Sequence, residues 1–454
     1  MVSIETASRF FLACWVSVCA GCVSAATSTA REAATRELAR GTLESTAAAP
    51  EAKAAPRTCE ELADRISSAH PAPLVEAAEG RAALERSRSE AAIPGPRVRF
   101  EIWDFPIGDP ATADEDGMYM VGISQEIPPL AARDKRALAA AEEARARAAK
   151  ARSTGLSIWE QAATLCVDWV IADRTAGRLR EYASHLGQVR EGVLAIYSGG
   201  GAGGLAGIAR ADTEAARAER RAIDAEQTAL VSRETLVALA GPDVPISEHP
   251  PELSSCPDAT SLGAWLEDAL ANRPDLAAAN AEYRAAAAEA DAASADAQIP
   301  EFEVSLTYMQ TPNQRAGLGA GVMMSIPWLG GGGAASRAAA ETASARKLEI
   351  SAAEREATVE LRRAVATLAA AQATLRAIVE RELPAAERAS QVGREALLGG
   401  NFDLADWLLA AHEELEARVD REEAVGRVAQ AWIELQFATG RKDAPADEKG
   451  GGHD

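Results

Sequence analysis

Two stretches of strict alternation, each followed by a turn and a second alternating stretch, limit what this chain can fold into more than anything else in it. After Ile93-Pro94 the chain reads Arg97-Val98-Arg99-Phe100-Glu101-Ile102-Trp103. After Ile299-Pro300 it reads Glu301-Phe302-Glu303-Val304-Ser305-Leu306-Thr307-Tyr308. A period of two puts Val98, Phe100 and Ile102 on one face of a strand, and Phe302, Val304, Leu306 and Tyr308 on one face of another. Turn-like segments follow at 108–117 and 311–317. Alternation then resumes through Tyr119, Val121 and Ile123 in the first copy, and through Ala320, Val322, Met324 and Ile326 in the second. Each copy next meets a proline, in Ile127-Pro128 and Ile326-Pro327. Each copy is therefore expected to carry a two-strand hairpin.

The repetition extends past the hairpins, which marks an internal repeat. Arg190-Glu191 and Arg394-Glu395 share an offset of 204 residues, and Leu236 and Gly241 match Leu435 and Gly440 at an offset of 199. Residues 130–198 and 334–398 contain no proline except Pro384, and as helices each would run about 100 Å at about 1.5 Å per residue. Leu361, Val365, Leu368, Leu375, Val379 and Leu383 have the spacing of a coiled-coil seam, as do Leu404, Leu408, Leu415, Val419, Val428, Trp432 and Leu435. Shorter helices at about 60–92 and 262–296 lead into the hairpins. The expected organisation is a signal peptide at 1–25, a mobile N-terminal segment at 26–57, a first repeat at 58–240, a Pro-rich linker at 241–261, a second repeat at 262–440 and a disordered tail at 441–454.

Composition decides what can cover the apolar strand faces. Of 454 residues 105 are alanine, so the helices pack closely through small side chains and hold no surplus of large apolar groups. Lipid can cover the strands instead, with Arg97, Arg99, Glu101, Glu303 and Ser305 turned to water; short strands alternating in this way are the pattern of a membrane β-barrel. Four strands cannot close, because barrels need at least about eight. Several chains must contribute, and the open strand edges demand it. The competing reading is a soluble β module on a helical stalk. The net charge of −21 argues against nucleic acid, whose phosphates need a surplus of Lys and Arg.

Arg9 precedes an apolar run from 10 to 18 and small residues through Ala26, the arrangement of a secretory signal peptide. Cleavage follows either Ala25 or, if Cys19-Ala20-Gly21-Cys22 acts as a lipobox, Gly21, leaving Cys22 acylated. Cys59, Cys166 and Cys256 are odd in number and widely spaced, and read neither as a disulfide framework nor as a metal site. The glycine runs at 199–204 and 330–333 lead into no Lys-Ser or Lys-Thr, the histidines are scattered, and His412-Glu413 meets no second His at helical spacing. No catalytic, cofactor or metal site is expected, so the chain reads as a non-enzyme.

Several motifs occur in order: Asn272-Arg273-Pro274-Asp275-Leu276, Gln298-Ile299-Pro300, Ser325-Ile326-Pro327-Trp328-Leu329, and Leu398-Gly399-Gly400-Asn401-Phe402-Asp403-Leu404-Ala405-Asp406. Over roughly residues 58–440 the chain resembles the TolC-like outer-membrane efflux proteins, most nearly their heavy-metal (CzcC-like) branch. The resemblance implies a mainly α protein with membrane β. Long α-helical coiled-coil hairpins and four strands per chain would assemble as a homotrimer with a trimeric α-barrel and a 12-stranded β-barrel. It places the helices in the periplasm below the outer membrane, docked to a periplasmic adaptor and an inner-membrane RND-type pump, and implies passive export of small substrates, possibly metal cations. It also places Asp406, beside Asp403, in an acidic ring at the periplasmic pore aperture. A second acid three residues later is Leu409 here, and the first-copy equivalent of Asp406 is Gly207. Both aspartates equally suit the start of a helix, where the macrodipole favours them. Arg190 and Arg394 precede the two helical turns and are candidate ion-pair partners there, against the reading of solvated surface charge. The alternative function is a periplasmic adaptor or stalk protein, which would lack paired alternating hairpins; a structural coiled-coil surface protein would leave the hairpins without a purpose.

Overall fold

The computed structural model describes residues 24–47, 56–103, 117–197, 204–242, 244–254, 256–257, 269–311, 315–398 and 404–442. The elements run α1 (Ala25–Ala47), α2 (Cys59–Ala69), α3 (Pro71–Ala91), β1 (Arg97–Trp103), β2 (Met118–Ile127), α4 (Leu130–Tyr197) and α5 (Gly204–Ala240). There follow α6 (Ala269–Asn272), α7 (Pro274–Gln298), β3 (Phe302–Gln310), β4 (Gly317–Met324), α8 (Gly332–Ala377), α9 (Leu383–Leu398) and α10 (Leu404–Thr439). The repeat is visible in this order, since each copy passes from helix to hairpin to long helices. The chain divides into two units: Met1–Gly41, Val75–Lys150 and Asp275–Ala353 form one, and Thr42–Leu74, Ala151–Pro274 and Glu354–Asp454 form the other.

In the first unit both hairpins join into one antiparallel sheet of order β1-β2-β3-β4. Its register lines up Phe100, Val121, Tyr308 and Leu318 in one row, and Val98, Ile123, Leu306 and Ala320 in the next. Of the N-terminal segment at 26–57 expected to be mobile, the part through Ala47 belongs to the helix α1, and residues 48–55 lie outside the described residues. Few large apolar residues hold it: Ala30, Ala34 and Leu38 are buried, with fully buried Thr27 donating from Oγ1 to Asp134 Oδ1 at 2.9 Å. Arg31 Nε donates to Ser87 Oγ at 2.8 Å. The close fit uses Gly80, where a Cβ would lie 2.8 Å from Leu38 Cδ2. A low apolar count therefore did not prevent ordering, because alanine contacts and buried polar bonds replace large side chains.

In the second unit Leu62, Ile66, Trp159, Trp169, Leu236 and Ile433 pack around a disulfide between Cys59 and Cys166. The sequence reading of unpaired cysteines is corrected here. The two are 107 residues apart in sequence, but α2 lies on α4 and brings their Cα atoms to 5.6 Å, within bridging range. Cys256 is half-buried outside the bridge. The linker is not loose where it is described: Glu252 N donates to Arg57 O at 2.9 Å and Cys59 N to Glu252 O at 3.1 Å.

The long second-copy helix is interrupted by a π turn over Ile378–Glu382, where Leu383 N donates to Ile378 O. Pro384 accounts for it, since proline offers no N–H and its ring crowds the carbonyl four residues back. The matched glycines Gly241 and Gly440 both end helices with positive φ, 68° and 71°, a conformation that favours glycine. At Gly440 a Cβ would lie 2.9 Å from Arg273 Cα. Buried Arg273 donates from Nη1 to Ala438 O at 2.8 Å and pairs with Glu360 at 2.7 Å. Asn272-Arg273-Pro274 thus seats the C-terminal end of α10, where a cation also suits the helix dipole.

Candidate functional site: a strand belt and a helical tip

The sheet places every alternating apolar residue on one face, and that face is bare. Val98 is 70% exposed, Phe100 79% and Val322 73%, with Val121, Ile123, Phe302, Val304, Leu306 and Tyr308 exposed as well. The opposite face carries the Arg97–Glu126 pair, the Arg99–Glu101 pair at 3.3 Å, and Ser305 and Thr307. A ten-residue strand such as β2 extends about 33 Å, and tilted by roughly 40° it spans about 25 Å, the height of the apolar band of an outer-membrane barrel. On the apolar face aromatic groups stand toward both strand ends, Tyr119 and Tyr308 near the turns and Phe302 near the helices, with Trp328 exposed just past β4, as rings do at membrane interfaces; Trp103 lies on the polar face, its Nε1 donating to Glu101 Oε2 at 3.0 Å. Within the sheet β1 pairs only with β2, and β4 only with β3. An apolar patch of this size and two open edges are both unsatisfied in a single chain. No described helix is long and apolar enough to cross a membrane.

In the second unit, the ends of α4, α5 and α10 share a core of Leu186, Ile208, Ala211, Leu404, Trp407, Leu408 and Ala411. Trp407 stacks on His185, with ring centroids 6.2 Å apart. Gly207, the first-copy counterpart of Asp406, has a packing purpose that sequence reading missed: a Cβ there would meet Leu404 Cδ2 at 2.9 Å. The glycine lets α5 approach α10. Asp406 lies in the first turn of α10 with its side chain exposed. Arg190 pairs with Asp212 on α5, Nε to Oδ1 at 2.7 Å. Arg394 is exposed on α9 and forms no ion pair with a described residue. Asp403 and Cys22 lie outside the described residues, as do residues 199–203 and 399–402.

Beside this core is a cavity of about 570 Å³ lined by Tyr182, Arg210, Glu214, Arg221, Leu409 and His412 among others. Arg221 pairs with Glu416 across α5 and α10, and His412 lies 3.9 Å from both Glu214 and Glu416. Burial, then the Glu214, Glu416 and Glu414 carboxylates, push the Tyr182 phenol up, so it stays neutral. Apart from Leu409 and His412, which the sequence singled out for other reasons, none of these residues stood out there, because the charges meet only across helices. Further along the bundle, burial and then Glu360 and Glu434 push the Glu160 carboxyl up to about 7. Among the described residues no group of three or more His, Cys, Asp or Glu is placed to hold a metal ion.

Residues 265–441 match the sequence profile of a family described as outer membrane efflux protein. No curated protein sequence matches the chain. Among solved structures, the outer-membrane channel OprN superposes with a TM-score of 0.70 at 18% identity, covering 84% of this chain and 89% of its own. The outer membrane protein VceC of Vibrio cholerae gives 0.69 at 18% identity, covering 84% and 96%. The open-state MtrE outer membrane channel of Neisseria gonorrhoeae gives 0.68 at 16%, covering 85% and 89%. The chain thus shares the fold of these outer-membrane channels over most of its length, and its second copy carries the sequence pattern of the outer membrane efflux family.

Proposed function

We propose that three copies of this chain form a passive exit duct in the outer membrane, the outer component of a tripartite efflux system. The observation that carries this reading is the four-stranded sheet, apolar and exposed on one face and open at both edges. Three such sheets supply 12 strands, enough to close a barrel with the polar face inside and lipid outside. The long helices then form the periplasmic part, which docks an adaptor and, through it, an RND-type pump that supplies the energy. A duct performs no chemistry, and the reading includes no enzyme activity. The family profile over 265–441 and the shared channel fold support it. Two hairpins joined in one sheet count against the adaptor alternative.

Three finer points belong to the same proposal. Asp406, with Asp403, rings the aperture and favours cations there, since like carboxylates near an axis repel and attract counter-ions. The cargo is small solutes; metal cations are its candidates through the heavy-metal resemblance alone. Export begins at the signal peptide, and Cys22 is acylated. Ser24 supports cleavage before Cys22, because its backbone N donates to Asp134 Oδ1 at 3.0 Å and its Oγ accepts from Thr27 N at 3.2 Å. Cleavage after Ala25 would delete that cap. Cell fractionation tests the whole reading: a detergent-extracted outer-membrane trimer with heat-modifiable migration is expected, and recovery in the soluble periplasmic fraction would sink it.

A further inference from the structure

Where strands meet helices in the first unit, a cavity of about 650 Å³ opens among all four junctions, against Pro94, Pro128, Ile299, Ile326 and Pro327. Arg133, in the first turn of α4, also lines it. Its residue is only 6% exposed, and its Nη1 is buried with no hydrogen-bond partner. No described residue forms an ion pair with Arg133. A guanidinium held this way is expensive unless something pairs with it.

The other arginines at the cavity are paired. Arg136 Nη2 lies 2.5 Å from Asp296 Oδ2. Arg97 pairs with Glu126. The Glu301 carboxyl hydrogen-bonds the Glu126 carboxyl, which, ahead of burial, raises it toward the protonated form. Glu90 is exposed at the rim. Arg133 is the lining cation that no described carboxylate pairs with. The start of α4 adds to it. Arg133 N is the first amide there bonded back into the helix, to Pro129 O at 3.0 Å, which leaves the earlier first-turn N–H groups without helical acceptors. An unpaired arginine at a helix N-terminus is the chemistry that recognises a tetrahedral oxyanion.

We propose that this junction cavity binds a phosphate-type oxyanion, with Arg133 as its anchor. The site goes beyond the duct reading and does not depend on it. The same group could arrive as a free solute or as the headgroup of a phospholipid. The full-length protein, purified in detergent and stripped of lipid, is titrated with inorganic phosphate against chloride at equal ionic strength, following its thermal midpoint. In parallel, native mass spectrometry scores phosphatidylglycerol retained from mixed micelles. Arg133→Met keeps the length of the side chain and removes the charge.

A midpoint that rises with phosphate but not chloride, with binding weakened roughly tenfold or more in R133M, supports a free oxyanion. Retained phosphatidylglycerol that R133M loses, without a phosphate response, supports a headgroup. Should R133M fail to fold, the wild-type titration and lipid retention decide alone. The wild-type protein responding to neither probe overturns the proposal, as does an R133M variant that keeps the full response.

Discussion

Cutting the Cys59–Cys166 disulfide tests the second unit in a way that can be worked out beforehand. The bridge closes a loop of 107 residues, and for a loop of about 100 residues the chain-entropy estimate is about 4.7 kcal/mol; native disulfides removed from proteins typically cost about 2–5 kcal/mol. Both sulfurs sit in the core, with Cys59 3% exposed and Cys166 fully buried, so reduction requires partial opening and the bridge resists mild reductant in the folded protein. Trp159 and Trp169 belong to the same buried cluster and report its unfolding locally. This matters because a chain of two units need not unfold in one step. Guanidinium unfolding followed by tryptophan fluorescence should show Cys59→Ala/Cys166→Ala destabilised by about 2–5 kcal/mol. Cys256→Ala, changing the half-buried cysteine outside the bridge, should move the midpoint little. Wild type unfolded in dithiothreitol should match the double variant, which separates loss of the cross-link from loss of the side chains. Two modified thiols at positions 59 and 166 in the native, oxidised protein would refute the reasoning. So would a double variant within about 0.5 kcal/mol of wild type.

Other perturbations have equally definite outcomes. Asp406→Ala should change single-channel conductance or cation preference in a planar bilayer; no change in either removes it from the aperture. Gly207→Val should push Leu404 away, since the added Cβ alone would lie 2.9 Å from Leu404 Cδ2, and the overpacking should cost about 1–3 kcal/mol in thermal unfolding. Glu160 sits above its ordinary carboxylate range, at about 7, so the folded state holds that proton more tightly than the unfolded chain. Its ionisation therefore destabilises the fold increasingly as pH rises through about 4.5 to 7, and the full cost is present above about 7. Glu160→Gln should raise the unfolding midpoint at pH 8 and leave it unchanged at pH 4, and an equal shift at both pH values would contradict this.

The elements that local pattern determines were legible in the sequence. The four strands follow from alternation, the helix ends at Gly241 and Gly440 from the repeat, and the hairpin limits from Ile-Pro steps. What depends on which helix lies beside which was not. Cys59 and Cys166 share no motif, and only the packing of α2 on α4 pairs them. Helix α1 was missed because large apolar residues are scarce in it, although Thr27, Ala30, Ala34 and Leu38 already repeat at helical spacing. Pro384 was visible, but its effect, a π turn rather than a break, depends on the helix continuing around it. At the tip, Gly207 looked like a missing acid; its use is to admit Leu404. Arg190 found its partner in Asp212, while its repeat mate Arg394 pairs with no described residue, so sequence equivalence did not carry over into equivalent contacts.

The central claim is that lipid covers the apolar face of the sheet and water the other. Nitroxide labels placed singly along β3, from Phe302 to Tyr308, in the protein reconstituted into bilayers, measure this directly through collision with oxygen and with a polar nickel complex. Phe302, Val304, Leu306 and Tyr308 should be oxygen-accessible and shielded from nickel, and Glu303, Ser305 and Thr307 the reverse, in strict period two. Uniform accessibility to nickel along the strand would contradict a membrane barrel.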